Sequence, residues 1–314
     1  MSTTATRLVS PPTSMTRSAA LRLGLLAAIW GTSFLLIKVA LHGLTPLQIV
    51  VGRMAFGSLA LLAVLGLAGE RLPRGTRVWS SLLFVGVMAN VVPFFLIAWG
   101  EQYVASGLAG IYNATTPLFT LVIATAALPE ERPSAAKTGG LVLGFLGVVL
   151  VLAPWRGLGH SAFVGQLAIL GSALCYGVAI TYTRRYLSGS GHSPLALATG
   201  QILGATGILL LLLPAWAGPV ALSLGVAGSV VALGALGTGI AYLLFYRLIG
   251  EVGATAASMV TYLVPVVAVA LGVLLLGEGV AWNDFAGAAV VLLGVAVAGG
   301  QLRQLAGRRT DLAA

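Results

Sequence analysis

Residues 104–130, VASGLAGIYNATTPLFTLVIATAALPE, form an apolar stretch, and residues 252–278, VGATAASMVTYLVPVVAVALGVLLLGE, repeat its pattern 148 residues later. Both stretches begin with valine, carry a proline near the middle and end with glutamate. The matching positions are Val104 and Val252, Pro117 and Pro265, and Glu130 and Glu278. A helix needs about 20 apolar residues to cross the roughly 30 Å hydrocarbon core of a bilayer. The two stretches therefore predict a pair of equivalent transmembrane helices.

The whole chain has the same apolar character. Of its 314 residues, 58% are apolar and only 8% are charged, against about 45–50% and about 25% in soluble domains. This composition excludes a soluble enzyme, a disordered chain and a nucleic-acid-binding domain. The apolar runs are continuous rather than alternating, which favours helices over a β-barrel. Ten transmembrane helices are predicted, near residues 21–41, 46–68, 78–100, 105–128, 137–154, 163–183, 195–216, 224–246, 253–276 and 284–302.

The positive charges predict the orientation of these spans. Fourteen of the 17 lysines and arginines fall in loops and tails on one side, and the opposite loops contain only Arg156. Cytoplasmic loops are enriched in Lys and Arg. We therefore expect a multi-pass protein of the cytoplasmic membrane with both termini cytoplasmic. We expect the basic residues behind the net charge of +9 to interact with the membrane surface rather than with a nucleic acid.

Further matches at offsets of 146 to 148 residues extend the repeat over the chain. They divide it into a cytoplasmic tail (1–20), a first five-helix repeat (21–154), a second five-helix repeat (163–302) and a second tail (303–314). Because five is an odd number, the second repeat has to enter the membrane from the opposite face. Inverted repeats of this kind are a common plan of secondary transporters.

Several segments resemble the EamA-type transporters of the drug/metabolite transporter superfamily. They are AIWGTSFLLIKVAL (28–41), PLQIVVGRMAFG (46–57), residues 105–133, residues 254–279 and FAGAAVVLLGVAVAG (285–299). The resemblance implies ten helices, cytoplasmic termini and the export or exchange of a small organic metabolite, such as an amino acid or an amphipathic drug.

The sequence contains no motif for catalysis, a metal or a cofactor. The two lysines follow Ile37 and Ala136, so there is no Gly-Lys-Ser/Thr phosphate loop. We expect no cofactor and no enzymatic activity. An integral-membrane enzyme or a lipid-handling protein is the alternative, but it requires a reactive polar cluster. A channel is disfavoured because no ring of charges is evident.

The acidic residues all lie in loops, at helix ends or in a tail, which disfavours proton transfer through a carboxylate. Glu101, at the outer end of the third span, is the nearest candidate. We interpret it as an interfacial charge in contact with water.

Polar and aromatic residues inside the spans match across the repeat. Asn90, Phe94 and Asn113 correspond to Thr238, Tyr242 and Thr261. Polar groups at mid-bilayer are costly unless protein or water satisfies them, so a shared cavity wall is expected. Hydrogen bonding between helices or to a helix's own backbone is the alternative. The predicted substrate-binding residues are Trp30, Arg53, Asn90, Phe94, Asn113, Thr116, Tyr176, Thr238, Tyr242 and Thr261.

Arg53 is the exception to this symmetry, because its repeat partner, Gln201, is neutral. It lies seven residues past Pro46, about 10 Å along its helix. Intramembrane charges tend to mark substrate paths, so we expect Arg53 to attract an anionic group of the substrate. Bracing of helix carbonyls and snorkelling remain alternatives. Lys38, near a span end, is expected to snorkel.

Two further features concern movement and assembly. Pro117 and Pro265 lie mid-span, where each removes a backbone hydrogen bond and favours a kink. They are predicted hinges, with a static kink as the alternative. The fifth and tenth spans carry almost only Gly, Leu, Val and Ala. We assign them to the scaffold or to the interface of a homodimer.

Overall fold

The computed structural model describes residues 16–128, 134–156, 159–212, 218–257 and 260–298. Within these ranges every regular element is helical and no strand occurs. The α-helices are α1 (Arg17–Ala40), α2 (Pro46–Leu67), α3 (Thr76–Gly86), α4 (Val92–Gly100), α5 (Ser106–Asn113), α6 (Thr116–Ala127), α7 (Ala135–Leu152), α8 (His160–Tyr186), α9 (Pro194–Leu212), α10 (Leu224–Gly234), α11 (Ala241–Ala257), α12 (Val260–Leu276) and α13 (Trp282–Ala298).

Eight helical stretches in the described part of the chain are long and apolar enough to cross a membrane. They are Arg17–Ala40, Pro46–Leu67, Thr76–Gly100, Ser106–Ala127, Ala135–Leu152, His160–Tyr186, Pro194–Leu212 and Leu224–Phe245. The helices α12 and α13 are also apolar, but each has only 17 residues. Helices therefore lie at all ten predicted positions, and eight reach the length of a full span. Most of the predicted tail 1–20 and all of 303–314 lie outside the described residues.

Local sequence accounts for where α2 begins. The Thr45 hydroxyl accepts a hydrogen bond from the Gln48 amide at 3.4 Å, and the Gln48 side chain accepts one from the Thr45 amide at 2.9 Å. This reciprocal pair satisfies two amides that have no partner within the helix. Pro46 follows at the first helical position, where a missing N–H costs nothing. At the repeat offset, α9 also begins with a proline, Pro194.

The third and eighth spans are not continuous α-helices, contrary to the sequence-based expectation. The π-helical segment Val87–Val91 joins α3 to α4, and the segment Ala235–Ile240 joins α10 to α11. The two segments begin 148 residues apart, so the repeat preserves this irregularity. Asn90 lies in the first segment and Thr238 in the second. Single π-helical turns inside α-helices occur frequently at functional sites.

Glycines let α2 approach the second π-helical segment closely. A Cβ atom at Gly234 would lie 2.4 Å from the Cβ of Phe56, and one at Gly239 would lie 2.5 Å from the Cβ of Ala60. Small residues of this kind allow helix backbones to pack closely in lipid. The close approach brings the side chains of α2 within reach of Thr238.

The fourth span differs from the prediction at its proline. The helix ends at Asn113 and α6 begins at Thr116, so Pro117 lies in the first turn of a new helix. A proline there has no intrahelical hydrogen bond to remove. The expectation that Pro117 breaks a mid-span hydrogen bond is therefore wrong. Pro265 does lie inside a helix, α12, so the two prolines have different local roles. Neither observation tests a hinge motion.

The last helix of each repeat packs against the other through glycines. A Cβ at Gly140 would lie 2.4 Å from the Ala298 amide nitrogen, and one at Gly147 would lie 2.6 Å from the Val291 amide nitrogen. From the other side, a Cβ at Gly294 would lie 2.4 Å from the Gly144 amide nitrogen. The α7–α13 pair is therefore built as a scaffold within one chain. A homodimer stays a prediction.

Candidate functional site

Arg53 is held between three helical elements. Its side chain is only 7% exposed, and its Nε donates a hydrogen bond to the Thr238 hydroxyl at 3.3 Å. Its guanidinium carbon lies 3.7 Å from the centroid of the Phe94 ring, which is within the range of a cation–π interaction. Among the described residues no carboxylate forms an ion pair with Arg53. The guanidinium is therefore positioned mainly by neutral groups.

Gln201, which sequence reasoning treated only as the neutral counterpart of Arg53, forms the equivalent contact. Its amide nitrogen donates to the Asn90 side-chain oxygen at 2.6 Å. The Tyr242 hydroxyl forms side-chain hydrogen bonds with Asn90 and Gln201. The repeat could have identified Gln201 as a site residue, since residue 201 lies 148 positions after Arg53 and Tyr242 lies 148 positions after Phe94.

These contacts form a reciprocal pattern. Arg53 in the first half binds Thr238 in the second, and Gln201 in the second half binds Asn90 in the first. Each residue of the first contact has its 148-residue counterpart in the second. Such reciprocity characterises contacts across a two-fold axis. The buried hydroxyls of Ser58 and Thr206, themselves 148 residues apart, lie 2.8 Å from one another, so this pair lies next to the approximate axis.

Two predicted aromatic residues border the cross-linked polar set, which we define as Arg53, Asn90, Gln201 and Thr238. The Trp30 indole nitrogen donates to the Gly237 carbonyl in the second π-helical segment at 3.2 Å. Tyr176 packs against both of the larger hydrophobic clusters. Its hydroxyl lies close enough to Arg53 for electrostatic interaction. The structure therefore brings Trp30, Phe94, Tyr176 and Tyr242 around the polar set.

The Thr116 side chain forms its hydrogen bond outside this set. The Thr116 hydroxyl donates to the Asn113 carbonyl at 2.8 Å, so it satisfies its own helix end. The Asn113 side-chain oxygen is buried and has no hydrogen-bond partner among the residues that the structure describes. Thr261 is half-buried in the first turn of α12. The contact of Thr116 is therefore a hydrogen bond to its own backbone segment, which was the alternative to a role in a cavity wall.

Glu101 is fully buried, with 0% exposure, so the expectation that it contacts water is wrong. Helix α8 covers the turn after α4, and a Cβ at Gly165 would lie 3.1 Å from the Gly100 carbonyl oxygen and from the Val104 side chain. Both carboxylate oxygens lack a hydrogen-bond partner in the described part of the chain. Sequence reasoning placed the end of the span at the membrane surface, whereas tertiary packing covers it with protein.

Lys38 does not snorkel to water as expected. Its ammonium donates to the backbone carbonyls of Glu101 and Val104, the latter at 2.9 Å. These carbonyls lie at and beyond the end of α4, where intrahelical donors are missing. Lys38 therefore ties α1 to the turn that carries Glu101.

Glu278, identified in the sequence only as a repeat marker, stabilises the start of α5. Its carboxylate accepts hydrogen bonds from the Ser106 amide at 2.7 Å, the Ser106 hydroxyl at 2.9 Å and the Gly107 amide at 3.1 Å. A carboxylate at a helix N-terminus satisfies free amides and interacts favourably with the helix dipole. Its repeat counterpart, Glu130, lies outside the described residues.

A cavity of about 530 Å³ lies elsewhere, at the ends of α7 and α8. It is lined by Leu108, Val151, Ala153, Gln166, Gly279, Val280, Ala281, Asn283 and Asp284. None of the predicted site residues lines this cavity. Asn90 and Thr238 have 0% exposure and Arg53 has 7%, so three residues of the polar set are buried in this conformation, and Gln201 is half-buried.

Comparison with known proteins places the chain among transporters. An uncharacterized transporter of Archaeoglobus fulgidus is 28% identical over 87% of this chain and 95% of its own length. A probable terminal-alkyne amino-acid exporter of Streptantibioticus cattleyicolor is 26% identical over 90% of this chain and 92% of its own length. A solved crystal structure superimposes with a TM-score of 0.65 at 21% identity, covering 91% of this chain and 99% of that one. It supports the fold alone.

The family match covers both halves of the chain. The EamA-like transporter family matches residues 18–153 and again residues 163–300. The two matched regions correspond to the two repeats. The apolar helices within them are those of a multi-pass membrane protein. The chain belongs to the EamA-like transporter family.

Proposed function

We propose that the protein is a secondary transporter that exports a small organic metabolite of the amino-acid class across the cytoplasmic membrane by alternating access. The observation that carries the proposal is the reciprocal contact pattern, Arg53 with Thr238 and Gln201 with Asn90. It joins the two halves by polar contacts that rearrange if one half moves relative to the other.

The same pattern supports ten spans arranged as two inverted five-helix repeats. With five spans in each repeat, the second copy runs in the opposite direction through the membrane. The approximate two-fold axis beside Ser58 and Thr206 then lies in the membrane plane, as in other transporters with inverted repeats. A substrate bound near this axis is reached from either face in turn.

The chemistry of the site suggests the substrate class. Only the Nε of Arg53 donates a hydrogen bond within the described part of the chain. Its two terminal nitrogens therefore remain available to bind a carboxylate in a bidentate manner. The rings of Phe94, Tyr176 and Tyr242 suit the organic part of such a substrate. The Streptantibioticus cattleyicolor relative, named a probable terminal-alkyne amino-acid exporter, supports the same class.

Transport is tested by counterflow in proteoliposomes. Vesicles containing the purified protein are loaded with a mixture of unlabelled proteinogenic L-amino acids, and uptake of single labelled amino acids is measured. We expect transient accumulation of at least one of them, and none in protein-free vesicles. Failure of every labelled amino acid with correctly folded protein would contradict the amino-acid class. Labelled amphipathic cations in the same assay then test drugs as the alternative substrate.

Orientation is tested with reporter fusions. The bias of fourteen cytoplasmic basic residues against Arg156 alone predicts cytoplasmic termini. A reporter active only in the cytoplasm should be active when fused after Arg309 and inactive when fused at Gly157. An exported phosphatase reporter should give the reverse pattern at the two sites. Reversed activities would overturn both the orientation and the inverted arrangement.

A further inference from the structure

Glu101 is a buried carboxylate to which the structure gives no hydrogen-bonding partner. Its side chain has 0% exposure, and neither of its oxygens has a hydrogen-bond partner among the described residues. An ionised carboxylate in such a place is costly unless a cation or donors satisfy it. Glu101 therefore requires a proton, a cation or a substrate group during part of the transport cycle.

The charged groups that act on Glu101 are already engaged elsewhere. They are Lys38 on α1, Arg53 on α2 and Glu278 after α12. Lys38 donates to two backbone carbonyls, Arg53 to Thr238, and Glu278 accepts from Ser106 and Gly107. Helix α8, which covers the turn, brings Gly165 and Ile169 against Gly100.

The surroundings favour a proton over a metal cation. Metal cations such as Ca²⁺ require several oxygen ligands. The backbone oxygens of Glu101 and Val104 already bind the Lys38 ammonium. A second cation beside that ammonium would be repelled. A proton neutralises the carboxylate itself and needs no further ligands.

We propose that Glu101 is a proton-binding site that couples export to the pH gradient. This rests on the proposed function. The empty protein returns only when Glu101 is protonated, whereas the substrate-loaded protein, with the substrate carboxylate bound by Arg53, changes conformation without that proton. After the substrate leaves, a proton from the outside binds Glu101, and the return step releases that proton to the cytoplasm. One proton is thereby exchanged for each zwitterionic substrate.

Proton binding is tested without any substrate. Infrared difference spectra of the purified protein between acidic and neutral pH should show the C=O stretch of a buried protonated carboxyl group. We expect this band to disappear in Glu101→Gln and to shift in Glu101→Asp. The matched control is Glu70→Gln, because Glu70 is exposed and hydrogen-bonded to Ser193. A band that is unchanged in Glu101→Gln would overturn the proposal.

Coupling is tested with a labelled amino acid that gives counterflow. An outward-directed proton gradient, with the vesicle interior more acidic than the medium, should drive its accumulation against its gradient in the wild type, because protons leave as the amino acid enters. In Glu101→Gln the internal and external concentrations should become equal, while counterflow continues. Accumulation that persists in this variant, or that needs a sodium gradient at equal pH, would overturn the proposal. Loss of counterflow in the wild type would instead contradict the proposed function.

Discussion

Replacing Arg53 with glutamine is expected to abolish transport while leaving the amount of protein in the membrane unchanged. If Arg53 binds a substrate carboxylate as proposed, the variant loses two charge-assisted hydrogen bonds, each worth about 1.5–3 kcal/mol. Together these correspond to a loss of about 10²-fold or more in the rate of transport at low substrate concentration. The measurement is counterflow of a labelled amino acid in proteoliposomes. Protein amount is measured by in-gel fluorescence of a fusion.

Glutamine is a well-matched substitution because the chain already contains it at the equivalent place. Gln201 occupies the same position in the second half and bonds to Asn90 as Arg53 bonds to Thr238. Arg53→Lys keeps the charge but loses the planar bidentate geometry, so intermediate transport is expected. Ser58→Ala, which removes a hydrogen bond of the same interface, serves as the control. Normal transport by Arg53→Gln would show that Arg53 is structural and that the anionic-substrate inference is wrong.

Replacing Gly140 with leucine is expected to prevent stable folding, whereas the same change at the adjacent Gly139 is expected to be tolerated. A Cβ at Gly140 would lie 2.4 Å from the Ala298 amide nitrogen and 2.6 Å from the Gly294 carbonyl oxygen. Backbone atoms cannot move aside as a flexible side chain can. A Cβ at Gly139 has no neighbouring atom within 4 Å. Overpacking at Gly140 should cost about 3 kcal/mol or more.

The measurement is the midpoint of thermal unfolding of the detergent-solubilised protein, together with its abundance in the membrane. Gly139→Leu controls for helix propensity and added hydrophobicity, because it lies in the same helix one residue earlier. Equal midpoints for the two variants would show that the α7–α13 contact does not stabilise the chain. If Gly140→Leu folds but Gly139→Leu does not, the exposed face of α7 is instead a packing surface, as in a homodimer.

The two halves are alike in backbone and different in chemistry. Phe94 and Arg53 in one half correspond to Tyr242 and Gln201 in the other, while both halves keep a π-helical segment at the same place. In the proposed alternating-access cycle, symmetry in the backbone would allow the two halves to exchange conformations. The guanidinium of Arg53 has no charged counterpart in the second half, so the two halves of the proposed site differ in charge.

Sequence patterns predicted most of the architecture, since apolar run length and loop charge are properties of the chain itself. The helices and the repeat offset follow from these patterns, because lipid requires about 20 apolar residues per span and a repeat preserves spacing. The polar residues Asn90 and Thr238 could be identified from burial cost alone. Their hydrogen-bonding partners could not be identified from the sequence. The repeat offset relates equivalent positions in the two halves, but it does not specify which residues are in contact.

Other features depend on contacts between residues far apart in the chain. The π-helical segments and the break before Pro117 are local irregularities that apolar composition does not distinguish from straight helix. Glu101 lies at a span end, and its burial depends on α8, which begins about 60 residues later and covers the turn. Exposure is a property of the packed assembly of helices rather than of position along one helix. Apolar spacing therefore determined where the spans lie, and packing between them determined which charges are buried.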